Sequence, residues 1–353
     1  MNDGCRGSNS REELAWRACP KDRRGGRTLR SVTVCDRMRH GRESKVMDTI
    51  DALHKSPAKL AVPMDALAFS FDRKVGDMTI TPLTDGYLDP DFKFLRDIPD
   101  ENVQLLLKLG HRDGPPRASV NAYAVRAGER IFLIDTGSGN TMGPTCGRLF
   151  ESLEAAGIAP ADVEAIMLTH VHPDHSNGLI DLATNTRLFP NAEILLHEKE
   201  LAHWFDDDEM AAADERAQHR YFEMGRRQLT PYVEAGRVRT FNEGEILPGI
   251  LAVPCHGHTP GHTAYQIGTG PGAILVWGDT VHVQEVQLPF PDVTVIFDWN
   301  PVDAATSRRR IIEKVVAEGL TVAGAHLHFP GFGNIARNGP GYALVQQPEL
   351  LKM

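Results

Sequence analysis

The sequence predicts a mixed α/β layered fold that carries its chemistry on loops at one edge. Short apolar stretches of strand length alternate loosely with stretches of helical periodicity, which favours layers of both kinds over an all-β architecture. Four of the apolar stretches run straight into loops bearing His or Asp, so a β core presents its polar groups along one side. There is no internal repeat at a short fixed period and no low-complexity tract.

Taken in order, residues 79–86 read as a strand running into a turn, and residues 87–116 as an irregular stretch with an amphipathic piece near 103–109. Residues 120–125 and 130–134 form a β-hairpin pattern that ends in Asp135-Thr136-Gly137. Residues 144–157 have helical periodicity and stop at Gly157. Residues 165–168 are a short buried strand that leads into a His-rich loop, and residues 192–196 are another strand. Residues 198–205 and 209–235 read as helical, with the acidic run Asp206 to Glu209 suited to a helix start, where carboxylates favour the dipole. Trp204, Phe205 and Phe222 read first as core packing and second as the lining of an apolar pocket mouth. Residues 250–253 are a strand leading to a second His-rich loop, and residues 273–277 are a strand leading to Gly278-Asp279-Thr280. A helix over 302–318 and a strand over 321–325 precede His326.

The densest chemistry is Thr169-His170-Val171-His172-Pro173-Asp174-His175-Ser176-Asn177-Gly178. No packing requirement asks for three imidazoles and a carboxylate so close together. His170 and His172 are two apart, so in extended backbone they share a side. Pro173 fixes φ and forces a turn that aims Asp174 and His175 at a neighbouring point. Imidazole and carboxylate together suit zinc, iron or manganese. Further donors follow at His256, His258, His262, Asp279, His282, His326 and His328. That is enough for two metals held by a bridging carboxylate, and Asp279 at a strand end is best placed to bridge.

The 353 residues, 41% of them hydrophobic, suffice for one large domain or two modest ones. A net charge of -9 argues against a general nucleic-acid binder. No apolar run reaches the roughly 18 residues of a membrane span. Residues 1–46 are basic, poor in apolar runs and hold Cys5, Cys19 and Cys35, with no apolar segment of a secretory signal. The expectation is a disordered basic extension over residues 1–50 and one domain over 51–353, with Met47 a candidate natural start. Cys146 and Cys255 lie far apart and no CxxC is present, which points to reduced thiols and a cytoplasmic setting.

His170-x-His172-x-Asp174-His175, Gly257-His258 with Pro260-Gly261-His262, Gly278-Asp279 and finally His326 together resemble the metallo-β-lactamase fold superfamily over most of residues 75–340. The stretches Gly278 to Val283, Pro291 to Thr294 and Ala325 to Gly333 are most similar to the methyl parathion hydrolase-like group and the N-acyl homoserine lactonases. The resemblance implies an α/β fold, a four-layer αββα sandwich, with two divalent metal ions, zinc foremost, at one edge. It implies that His170, His172 and His258 bind one metal, that Asp174, His175 and His326 bind the other, and that Asp279 bridges them. Asp174 and Asp279 would also serve catalysis. His282 stands where related lactonases place a Tyr against the substrate oxygen, so it is a candidate catalytic contact. His262 would hold its loop, while His256, His262 and His328 remain rival ligands.

The function so implied is hydrolysis of a small ester-like molecule, a lactone, ester or phosphotriester, by a hydroxide bridging the metals. The partners are that substrate and a second copy in a homodimer, with no nucleic acid and no membrane. The competing readings are an iron-dependent redox enzyme on the same fold and a β-lactam hydrolase. A nuclease and a structural metal protein rank below these.

Overall fold

Period-two alternation along the strands sorts the apolar side chains into three separate clusters, and these clusters define the layers. In the computed structural model of the protein, which describes residues 71–112 and 117–345, Ile131 and Leu133 face one cluster while Phe132 and Ile134 face another. The same rule divides Ile274 and Val276 from Ala273, Leu275 and Trp277. Burying each such side chain contributes roughly 1.5–3 kcal/mol before the entropy of ordering it. The extension expected over residues 1–50 lies outside the described residues.

Two seven-stranded sheets share the middle cluster. In the first, the spatial order follows the chain: Arg73–Val75, Met78–Leu88, Ala118–Ala127, Arg130–Ile134, Val163–Met167, Glu193–His197 and Val238–Phe241. The second runs Gly244–Leu247, Ile250–Pro254, Thr263–Ile267, Ile274–Val276, Thr321–Ala323, Phe332–Asn338 and Gly341–Val345. The four strands from Arg130 to Phe241 are parallel, as are Ile274–Val276 and Thr321–Ala323, and the other pairings are antiparallel. Helices Leu149–Ala155, Glu198–Trp204 and Met224–Glu234 cover the outer face of the first sheet. Helix Pro301–Glu318 covers the second through Ile311, Ile312 and Val315. The result is the αββα sandwich. Among the described residues no helix is long and apolar enough to cross a membrane.

The expected helix over 144–157 is shorter, Leu149–Ala155. Its first part is a turn with Gly143 and Gly147 at positive φ, and the Asp85 carboxylate holds that turn by accepting from Gly147 N and Leu149 N. The helix expected over 209–235 is broken. Asp207–Ala212 ends at Ala213, and Asp214 starts a new run by capping Ala217 N. That run widens into a π-helical turn over Gln218–Glu223 before continuing as Met224–Glu234. Asp206 caps the earlier helix as its composition suggests, accepting from Asp208 N and Glu209 N.

Candidate metal centre

Four strands deliver their carboxyl ends, and the loops after them, to one edge of the sandwich. Val163–Met167 leads to His170 and His172, and Pro173 then opens a single helical turn, Pro173–Ser176, that reorients Asp174 and His175. Ile250–Pro254 leads to His258, Ile274–Val276 to Asp279 in the turn Gly278–Thr280, and Thr321–Ala323 to His326. Donor atoms of His170, His172, His258 and Asp279 lie within 4.8 Å of one another, as do those of Asp174, His175 and His326, and those of Asp279, His282 and His326. The seven residues singled out as ligands, with His282, therefore meet in one place.

Asp279 sits between the groups. Its Oδ2 lies 3.8 Å from His170 Nε2, 3.3 Å from His258 Nε2, 3.2 Å from His326 Nε2 and 3.1 Å from His282 Nε2. Its Oδ1 lies 3.0 Å from His175 Nε2. Asp174 reaches His326 Nε2 at 3.5 Å and His175 Nε2 at 3.8 Å. His172 Nδ1 and His258 Nε2 approach to 3.0 Å. Nitrogens bound at 2.0–2.1 Å around one tetrahedral cation would stand about 3.3 Å apart, so this pair is spaced as ligands are. His170 Nε2, His175 Nε2 and Asp279 Oδ1 are buried without a hydrogen-bond partner. Such orphaned donors and acceptors converging on one point fit divalent cations. Burial and the neighbouring imidazoles hold His170 and His172 well below the usual imidazole pKa, which keeps them neutral and able to coordinate.

Around these groups, other residues set which nitrogen points inward. His175 Nδ1 donates to Asp135 Oδ2 at 2.8 Å, His258 Nδ1 to Asp298 Oδ1 at 2.8 Å and His326 Nδ1 to Ser119 O at 2.8 Å. Each bond turns Nε2 toward the cluster, where carboxylates, Asp279 foremost, outweigh burial and raise the pKa of all three imidazoles. Asp135 also accepts from Thr169 N, fixing the start of the first loop. Glu200 is fully buried and ties the two His loops together. It accepts from Val171 N at 3.0 Å, Gly261 N at 2.8 Å, Trp204 Nε1 at 2.7 Å and the Thr259 hydroxyl. Arg308, buried on helix Pro301–Glu318, donates to Thr280 O, Pro291 O and Val293 O, and burial lowers its pKa to about 10.

Two of the rival histidines are otherwise engaged. His262 donates from Nδ1 to Cys255 O and accepts at Nε2 from Asp279 N at 3.0 Å, so it holds the loop of the bridging candidate. Burial and His258 push it down to about 3, neutral as that acceptor role requires. Gly278 permits this approach: its φ is +52°, and a Cβ there would stand 2.6 Å from His262 Nε2. His328 meets Arg112 at 3.3 Å and Glu285 at 2.9 Å, in a half-buried ion-pair cluster. His256 packs edge-on against His197 and belongs to none of the donor groups. Trp204 and Phe222 are core residues that also line a cavity of about 470 Å³, and Phe205 is exposed.

Sequence reasoning passed over Glu200, Asp298 and Arg308. Glu200 sits in a helical pattern as one acidic residue among several. Asp298 and Arg308 act only through loops that sequence pattern does not place. A buried Trp204 indole, needing an acceptor four residues away, is the one local signal for Glu200.

The candidate centre opens into a cavity of about 160 Å³ whose walls include Phe94, Phe297, Met142 and Tyr221. Tyr221 packs against His172 with ring centroids 4.8 Å apart and the rings tilted by 37°.

Residues 115–326 match the metallo-beta-lactamase superfamily. The chain superposes on the crystal structure of hydrolase AbOPH of the beta lactamase superfamily with a TM-score of 0.74 and 31% identity, covering 79% of this chain and 98% of that one. It superposes on AidC, a dizinc quorum-quenching lactonase in complex with the product N-hexnoyl-L-homoserine, with a TM-score of 0.72 and 25% identity, covering 80% and 99%. It is also 24% identical over 208 residues to the uncharacterized protein YobT of Bacillus subtilis (strain 168), covering 57% of this chain and 81% of YobT. The family match spans more than half of the chain and contains every residue of the candidate centre, so the protein belongs to the metallo-beta-lactamase superfamily, as a metallohydrolase of that fold.

Proposed function

We propose that the protein is a dinuclear hydrolase of small ester-like substrates, a lactone, ester or phosphotriester. The observation that carries this reading is Asp279, one buried carboxylate facing five imidazole nitrogens at 3.0–3.8 Å. His170, His172 and His258 would hold one divalent cation and Asp174, His175 and His326 a second, with Asp279 shared and zinc the first choice. When bound, the two cations supply a water acidified toward neutral pH and a polarised substrate oxygen.

The chain's own residues do the rest. Asp174, on the cavity wall, stands ready to accept a proton from the attacking water and pass it to the leaving oxygen. His282 also lines the cavity, with Nε2 against Asp279 and Nδ1 without a hydrogen-bond partner, so it can contact a substrate oxygen. Phe94 and Phe297 flank the His282 ring and limit water at the reacting bond. In balance, the acyl–oxygen or phosphorus–oxygen bond breaks, the water's OH joins the acyl or phosphoryl group, and its proton goes to the leaving oxygen.

The similarity to AidC supports lactones as the first substrates to try. We further propose that residues 51–353 form one hydrolase domain, that the protein works in the cytoplasm and that it pairs as a homodimer. A panel of lactones, aryl esters and phosphotriesters, assayed with and without chelator, tests the activity. Turnover lost on chelation and restored by metal is expected, and no metal-dependent turnover of any class would refute it.

A further inference from the structure

Four arginines lie on the helical run from Glu215 to Glu234, and they behave in two ways. Arg226 is tied to Trp204 O, Asp206 O and Asp207, and Arg227 to Asn185 and Leu182 O. Arg216 and Arg220 have no hydrogen-bond or ion-pair partner among the described residues, and both line the 160 Å³ cavity over the candidate centre. Of the carboxylates near them in sequence, Asp214 caps Ala217 N and Glu223 pairs with His219 at 2.7 Å, and Glu215 forms no ion pair with either arginine. Like charges four residues apart on a helix repel, so nothing in the fold itself rewards this placement. Apart from Asp174 and Asp279, which belong to the donor groups, these two guanidinium groups are the cavity's remaining carboxylate or guanidinium charges. The larger cavity differs, since Glu209, Asp214 and Asp298 there offset Arg96 and Arg216. The π-helical turn contributes by setting Tyr221 against His172, with Arg220 inside the turn and Arg216 just before it.

We propose that Arg216 and Arg220 form an anion-binding rim, so that the site selects ester-like substrates carrying a carboxylate away from the scissile bond. This rests on the hydrolase reading for the reaction but not for the binding. Guanidinium suits a carboxylate because its planar fork can donate two parallel hydrogen bonds.

The test uses matched p-nitrophenyl esters of equal chain length, the monoesters of succinate, glutarate and adipate against those of butyrate, valerate and hexanoate. In at least one pair, the charged ester should exceed its neutral partner in kcat/KM by about fivefold, mainly through KM. The advantage should shrink as salt rises. It should fall toward one in R216Q/R220Q and be partly restored in R216K/R220K. In parallel, calorimetry on the metal-loaded full chain compares free adipate with free hexanoate, which differ by the second carboxylate. Tighter adipate binding that is lost in R216Q/R220Q is expected. If neither ester is turned over but this binding difference holds, the rim stands and the hydrolase reading falls. A charged-to-neutral ratio near one in every pair, an advantage that survives both substitutions, or equal binding of the two acids would overturn the proposal.

Discussion

Asp279 shows how much one side chain is asked to do. Its carboxylate faces His170, His175, His258, His282 and His326, and its backbone N–H is held by His262. Losing the partner of a ligand typically costs 10–100-fold, so Asp279→Asn should lower turnover by more than about 100-fold and reduce bound metal, as elemental analysis of the purified variant would read. Asp298 acts one step further out, through His258 Nδ1. Asp298→Ala is expected to weaken metal affinity by about 10–100-fold in competition with a chelating dye, leaving the far-ultraviolet dichroism unchanged. Arg308 contributes to the fold itself. Arg308→Met would orphan the buried Thr280 carbonyl and the half-buried Pro291 carbonyl, while Val293 O keeps Gln287 Nε2, and should cost roughly 2–4 kcal/mol in urea unfolding. A loss under about 1 kcal/mol would mean that water replaces the guanidinium.

At the scale of elements, the π-helical turn over Gln218–Glu223 is the least regular part of the site's wall. Deleting exposed His219 removes the extra residue of that wide turn and should rotate Tyr221 off His172. The expected outcome is a changed KM with a melting temperature within about 4 °C of the parent. An unchanged KM would show that Tyr221 does not shape the pocket. This turn was invisible in the sequence, because the residues of 209–235 keep one helical period across a break and a widening. The buried strands were legible where an apolar run ends in a chemically distinct residue: Arg130–Ile134 before Asp135, Val163–Met167 before the His loop, Ile274–Val276 before Asp279. Thr263–Ile267 was not, since all five of its residues are buried and Thr and Gln interrupt the apolar pattern. Val238–Phe241, an edge strand of mixed exposure, and the C-terminal hairpin Phe332–Asn338 with Gly341–Val345 also carry too little apolar contrast.

For the whole molecule, two sheets packed through one apolar cluster make a rigid base, and the chemistry is confined to the loops at one edge. The candidate donors that converge at this edge were legible because donor chemistry is written in residue type and spacing. Of the residues that orient them, His262 was legible in the second His loop, whereas Glu200, Asp298 and Ser119 were not, because packing brings them in from distant segments. A cation that binds the native centre but not the unfolded chain stabilises by mass action, so chelation should lower the melting temperature by several degrees and added zinc or manganese should restore it. The most direct measurement is metal content and hydrolase activity on one preparation, for the parent and for Asp279→Asn. The expected result is two divalent metals per chain in the parent, with ester or lactone turnover that rises and falls with metal content and is lost in the variant. One iron per chain with oxygen consumption, or hydrolysis that persists in the metal-free protein, would contradict it.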